Sequence, residues 1–77
     1  MARAHYYVVH KGGQWFISLD GKEYGPYNTQ KAAYTDAVNA AHTSGGNGHD
    51  AQVLIQGANN QWRTEWTYGH DPYPPRG

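Results

Sequence analysis

Residues 28–46 read NTQKAAYTDAVNAAHTSGG, and here the apolar period changes from two to about 3.6, the mark of a helix set between strands. Ala33, Tyr34, Ala37, Val38 and Ala41 fall on one helical stripe, with Lys31, Asp36 and Asn39 outside it. Asn28 or Thr29 supplies an N-cap oxygen. Gly45-Gly46 reads as the stop at the other end. The alanines raise helix propensity, and their thin side chains let the helix lie close against a sheet.

Upstream, HYYVVH (5–10) and QWFISLD (14–20) are joined through Gly12-Gly13, a dipeptide suited to a hairpin. Trp15, Ile17 and Leu19 alternate there against Phe16 and Ser18. Asp20-Gly21 ends the second run, which Lys22 to Tyr24 can extend past a bend, and Gly25-Pro26 reads as a break. Downstream of a polar loop at 45–50, AQVLIQG sets Ala51, Val53 and Ile55 on one face. Gly57 to Asn60 is turn material. QWRTEWTY (61–68) then alternates Trp62, Thr64, Trp66 and Tyr68 against Arg63, Glu65 and Thr67. The pattern predicts an α+β domain of order β-β-α-β-β, one helix packed on a small antiparallel sheet, with a Pro-rich C-terminal tail. A single small domain spanning 1–77 is expected, with 1–4 flexible and 69–77 forming the tail.

The composition bounds function. A chain of 77 residues stands near the lower limit for a self-sufficient core. With 38% hydrophobic residues, it leans on three Trp, seven Tyr and one Phe to bury area. Cys is absent, which removes disulfides, thiolate metal sites and thiol nucleophiles. Met1 to His5 lacks the apolar run of a signal peptide, and no stretch reaches the length of a membrane helix, so a cytoplasmic location without membrane contact is expected. Six basic and six acidic residues balance to a net charge of +0. A protein holding nucleic acid mainly through phosphates would carry a basic excess.

Catalytic and metal patterns are weak. His5, His10, His42, His49 and His70 form no helical i, i+4 pair, and His49, His70, Asp50 and Asp71 are loose zinc candidates only. Ser18 and Ser44 have no nucleophile-elbow context, and the glycine-rich stretches lack phosphate-loop spacing. These observations point to no enzyme, no cofactor and no metal. The aromatic residues remain. Trp62, Trp66 and Tyr68 share one alternation phase, and with Tyr73 they form the candidate binding patch for a macromolecular partner, a protein first. The competing reading of the same rings is a core beneath the alanine helix. The functional alternative is nucleic-acid binding through the sheet face, with Tyr6 or Tyr7, Phe16 and Arg63 on the outer face, or through a basic patch of Lys11, Lys22 and Arg63. Exposed sheet edges leave a monomer or a weak dimer open.

The last ten residues, YGHDPYPPRG, hold three of the four prolines. Alone they read as a polyproline ligand, a free stub or a segment docked on the domain's own aromatic surface. This ending resembles the recurrent YGxDPxPPxG of a small bacterial family catalogued as domain of unknown function 2188. YYVVHKGGQWFISLDG resembles that family's opening hairpin, NTQKAAYTDAVNAA its TQxxAxxxA helix, and AQVLIQGANNQWRTEWTYG its closing hairpin. The resemblance covers nearly the whole chain. It implies a tail integral to the unit, Tyr68 in the strand, a turn at Gly69 and the prolines against the sheet. It brings no catalytic residue, cofactor or substrate.

Overall fold

The alternating runs on either side of the helical segment join one sheet in the computed structural model of the chain, which describes residues 3–56 and 61–73. The strands are β1 (Arg3–Lys11), β2 (Gln14–Leu19), β3 (Lys22–Tyr27), β4 (Asp50–Gln56) and β5 (Trp62–Thr67). The helix α1 (Gln30–Gly46) connects β3 to β4. The turn expected at 57–60 and the tail beyond Tyr73 lie outside the described residues.

The expectation of four antiparallel strands needs two corrections. The sheet has five strands in the order β3-β2-β1-β4-β5, and it is mixed, because β1 and β4 run parallel, with Tyr6 opposite Val53 and Val8 opposite Ile55. Parallel neighbours need a crossover of a dozen or more residues. Residues 12–49 provide it, so α1 returns across β1 and β4. Arg3 and Ala4 already pair with Asp50 and Ala51 and form the start of β1. The extra strand is β3, which continues through Gly25-Pro26 instead of breaking there. Proline is tolerated at an edge or a bulge, and this position is both.

Thr29 caps α1, its Oγ1 accepting from the Ala32 amide at 3.1 Å. The helix ends at Gly46 as expected, but Gly45-Gly46 form its last turn and do not supply the left-handed stop. The closure lies just beyond it, where the Gly48 amide donates to the Gly45 carbonyl at 3.0 Å and the His49 amide to that of Ser44 at 3.2 Å. This paired closure needs a left-handed residue, and Gly48 supplies it with φ 92°. Gly45 instead serves packing. A Cβ there would stand 2.1 Å from Cγ of Tyr68, so the bare helix surface seats that ring.

The core lies between α1 and one sheet face. Ala33, Ala37, Val38 and Ala41 cover Tyr6, Val8, Ile17, Val53 and Trp66, all buried. The Tyr6 hydroxyl stays satisfied beneath the helix, 2.6 Å from Ser44 Oγ.

Both edge strands carry a bulge, and the bulges decide where the aromatic residues go. In β3, Tyr24 pairs with Ile17 and Tyr27 with Trp15, so Gly25 and Pro26 together oppose Phe16. Two residues three apart, which alternation would send to opposite faces, therefore share the helix side. In β5, Thr64 pairs with Leu54 while Trp66 pairs with Val53, leaving Glu65 as the extra residue. Two residues four apart, which alternation would place together, are sent to opposite faces.

Candidate functional site

The four aromatic residues of the candidate patch do not form one surface. Trp66 is 1% exposed and belongs to the core, so it is removed from the patch. The reason is the bulge at Glu65, which turns Trp66 under α1 beside Val53. Trp62, 42% exposed, stands on the other face and meets the Tyr7 ring edge-on at 4.9 Å.

Tyr68 and Tyr73 stay with Trp66, at centroid distances of 6.3 Å and 6.4 Å. The Trp66 indole N–H donates to the Pro72 carbonyl at 2.9 Å, so the tail satisfies a buried donor. Asp71 Oδ2 accepts from the Thr67 amide at 2.8 Å, and Gly69, with φ 86°, makes the turn between them. Tyr73 stacks on His42 at 3.7 Å, and its hydroxyl donates to Asn39 Oδ1 at 2.6 Å. The described part of the tail thus bridges the sheet and the helix, with Asp71 and Pro72 bonded to β5 and Tyr73 reaching α1. Tyr68 sits in the turn just beyond β5, though its amide still donates to Ala51.

The sheet face away from α1 carries Tyr7, Val9, Phe16, Leu54 and Trp62, partly or well exposed. Among the described residues no second layer covers it. Lys11 lies 5.9 Å over the Phe16 ring on this face, but its ammonium is paired with Glu23 at 3.0 Å. The rest of the proposed nucleic-acid set does not join it. Arg63, opposite Ile55, and Lys22, opposite Leu19, are on the helix side of β5 and β3. Those two strands are the sheet's opposite edges, about 19 Å apart at the usual strand spacing. Arg63 is paired with Glu65.

Titration is perturbed at two phenols. Tyr27 is raised above its ordinary 10.0 by burial first, then by hydrogen bonding to Asp36 and by that residue's charge. Tyr34 is raised by burial, then by the charges of Glu65 and Asp71. Among the described residues no three His, Asp or Glu side chains gather as a metal site. Also among them, no helix is long and apolar enough to cross a membrane.

The outer patch could not be located from the last strand alone, because it draws its rings from β1, β2 and β5. The signal available was the outward phase of Phe16 in the second run. Fold and surfaces together define a small two-layer α+β domain with a single helix over a five-stranded mixed sheet. Residues 6–68 match the profile of a family described as an uncharacterized protein conserved in bacteria, and the chain belongs to this family, domain of unknown function 2188. No curated protein and no solved structure matches the chain.

Proposed function

We infer that the domain is a non-enzymatic interaction module whose contact surface is the open sheet face, centred on Trp62 and Tyr7. The observation that carries this reading is the set of exposed and half-exposed rings on a face without a covering layer among the described residues. A Trp at such a position is the kind of large, rigid anchor that dominates protein interfaces. Edge-to-edge pairing with another chain is blunted, since β3 carries Pro26 and β5 is bulged and charged at Arg63 and Glu65.

The occupant is an apolar segment of another protein. Charge favours this over nucleic acid, because Lys11, the cation beside Phe16, is already neutralised by Glu23. The test is peptide display against the immobilised domain, read with Trp62→Ser and Tyr7→Ser. Selected peptides should be apolar and should lose at least about tenfold in affinity on Trp62→Ser, the range of an interface anchor. Titration with oligo-dT and oligo-U at low salt should leave tryptophan emission unchanged. Selected peptides indifferent to Trp62, or salt-dependent quenching by the oligonucleotides, would overturn the reading.

A further inference from the structure

A groove on the other side of the sheet, between α1 and the β2–β3 hairpin, takes no part in that reading. It measures about 250 Å³ and is lined by Tyr6, Ile17, Tyr24, Tyr27, Asp36 and Ala40. Each feature of it has a local cause. The β3 bulge brings Tyr24 and Tyr27 to the same face, although they are three residues apart. Tyr6 is held from below by its hydroxyl, which reaches Ser44 Oγ at 2.6 Å and the Ala40 carbonyl at 3.4 Å. Ala40 leaves the space that a larger helical residue would fill. Among the described residues none of these three tyrosine rings contacts another aromatic ring.

Asp36 gives the groove its sign. Its carboxylate is exposed at the rim, faces the Tyr27 hydroxyl and has no ion-pair partner among the described residues. Lys31 lies in a more open extension of the groove past Tyr27 and does not pair with it.

We propose that this groove binds an organic cation with an N-methylated ammonium head, held among Tyr6, Tyr24 and Tyr27 and neutralised by Asp36. Several tyrosines around one space attract a cation through the negative faces of their rings, most of all when it is partly desolvated. An N-methylated ammonium gives up less hydration on entering such a site than a compact ammonium, which is strongly hydrated. A hard metal ion would need several oxygen ligands, and one carboxylate does not supply them. An anion is repelled. The volume falls just under the roughly 300 Å³ at which sites for drug-sized ligands begin, so the occupant is the size of a head group. Free choline-like amines and a trimethylated lysine side chain share this chemistry.

Amide NMR on the full chain tests it, with choline, a trimethyl-lysine peptide and the uncharged choline isostere 3,3-dimethylbutanol as titrants. Saturable shifts are expected at Tyr24, Tyr27, Asp36 and Ala40 with choline or the peptide. The tighter of the two identifies a free or a protein-borne head group. The isostere should bind at least about fivefold more weakly, as should choline to Asp36→Asn and to Tyr24→Ala, the scale of one cation–π or charge contact. Both substitutions fall on exposed residues, and unchanged spectra elsewhere verify the fold. Saturation by neither cation overturns the proposal. So does equal binding of the isostere, or affinity that survives both substitutions.

Discussion

β3 and β5 close the two edges of the sheet, each carries one bulge, and each holds two large aromatic residues whose spacing alone misplaces them. In β3 the extra residue brings Tyr24 and Tyr27 together beside α1. In β5 it separates Trp62 from Trp66, one displayed and one buried. A bulge shifts the side-chain phase of everything beyond it. An aromatic-rich edge can therefore become a groove wall or be divided between core and surface, depending on where the extra residue falls. The strands also differ in how they are secured. β3 bends through Gly25, while β5 is completed from outside by the tail, whose Pro72 carbonyl takes the Trp66 N–H.

The largest way to break the comparison is Trp66→Ala. It empties a fully buried site and is expected to cost about 3–5 kcal/mol. That is a large part of the roughly 4–12 kcal/mol a domain of this size has; urea denaturation measures it. Deleting Pro72–Gly77 comes next. It leaves the buried indole N–H without its acceptor, at about 1–3 kcal/mol, and removes Tyr73 from His42. The melting temperature should fall by about 5 °C or more, and by less in a Trp66→Phe background, which has no N–H to satisfy.

Gly25→Ala strikes the other edge. Gly25 has φ 135°, and an added Cβ would lie 3.1 Å from both the Phe16 ring and the Trp15 carbonyl. A loss of about 1–3 kcal/mol is expected, together with amide shifts at Tyr24 and Tyr27 that leave Trp62 and Trp66 unmoved.

The smallest effect is alkaline. Tyr27 on β3 and Tyr34, which senses Glu65 and Asp71 near the other edge, both have folded pKa values above 10.0. The unfolded chain loses these protons first. Their contribution is therefore intact below about pH 10 and is lost as pH rises through the folded values. Tyr27→Phe and Tyr34→Phe should each flatten part of the fall in melting temperature above pH 10, which a thermal-melt series reads directly.

The helix stripe was legible because Ala33, Ala37, Val38 and Ala41 repeat a local period, and all four are buried. The inward phase of Trp15, Ile17 and Leu19 was legible for the same reason. Strand partnership was not, since alternation records a face and carries no information on which neighbour pairs; the parallel β1–β4 contact is of this kind. Gly25-Pro26 did signal an irregularity, but it read as a break where the strand instead bulges and continues. The β5 bulge left no mark, because Thr64, Glu65 and Trp66 include neither Gly nor Pro. The outer-face rings come from three strands and needed that register before they could be grouped.

The opposite placement of Trp62 and Trp66 is tested most directly by 19F NMR of the 5-fluorotryptophan-labelled chain with a soluble paramagnetic agent, each resonance assigned by a single Trp→Phe exchange. Trp62 should relax fastest, the half-buried Trp15 next, and Trp66 slowest by a wide margin. Equal relaxation of Trp62 and Trp66 would mean that they share a face, and that the β5 bulge does not divide core from surface.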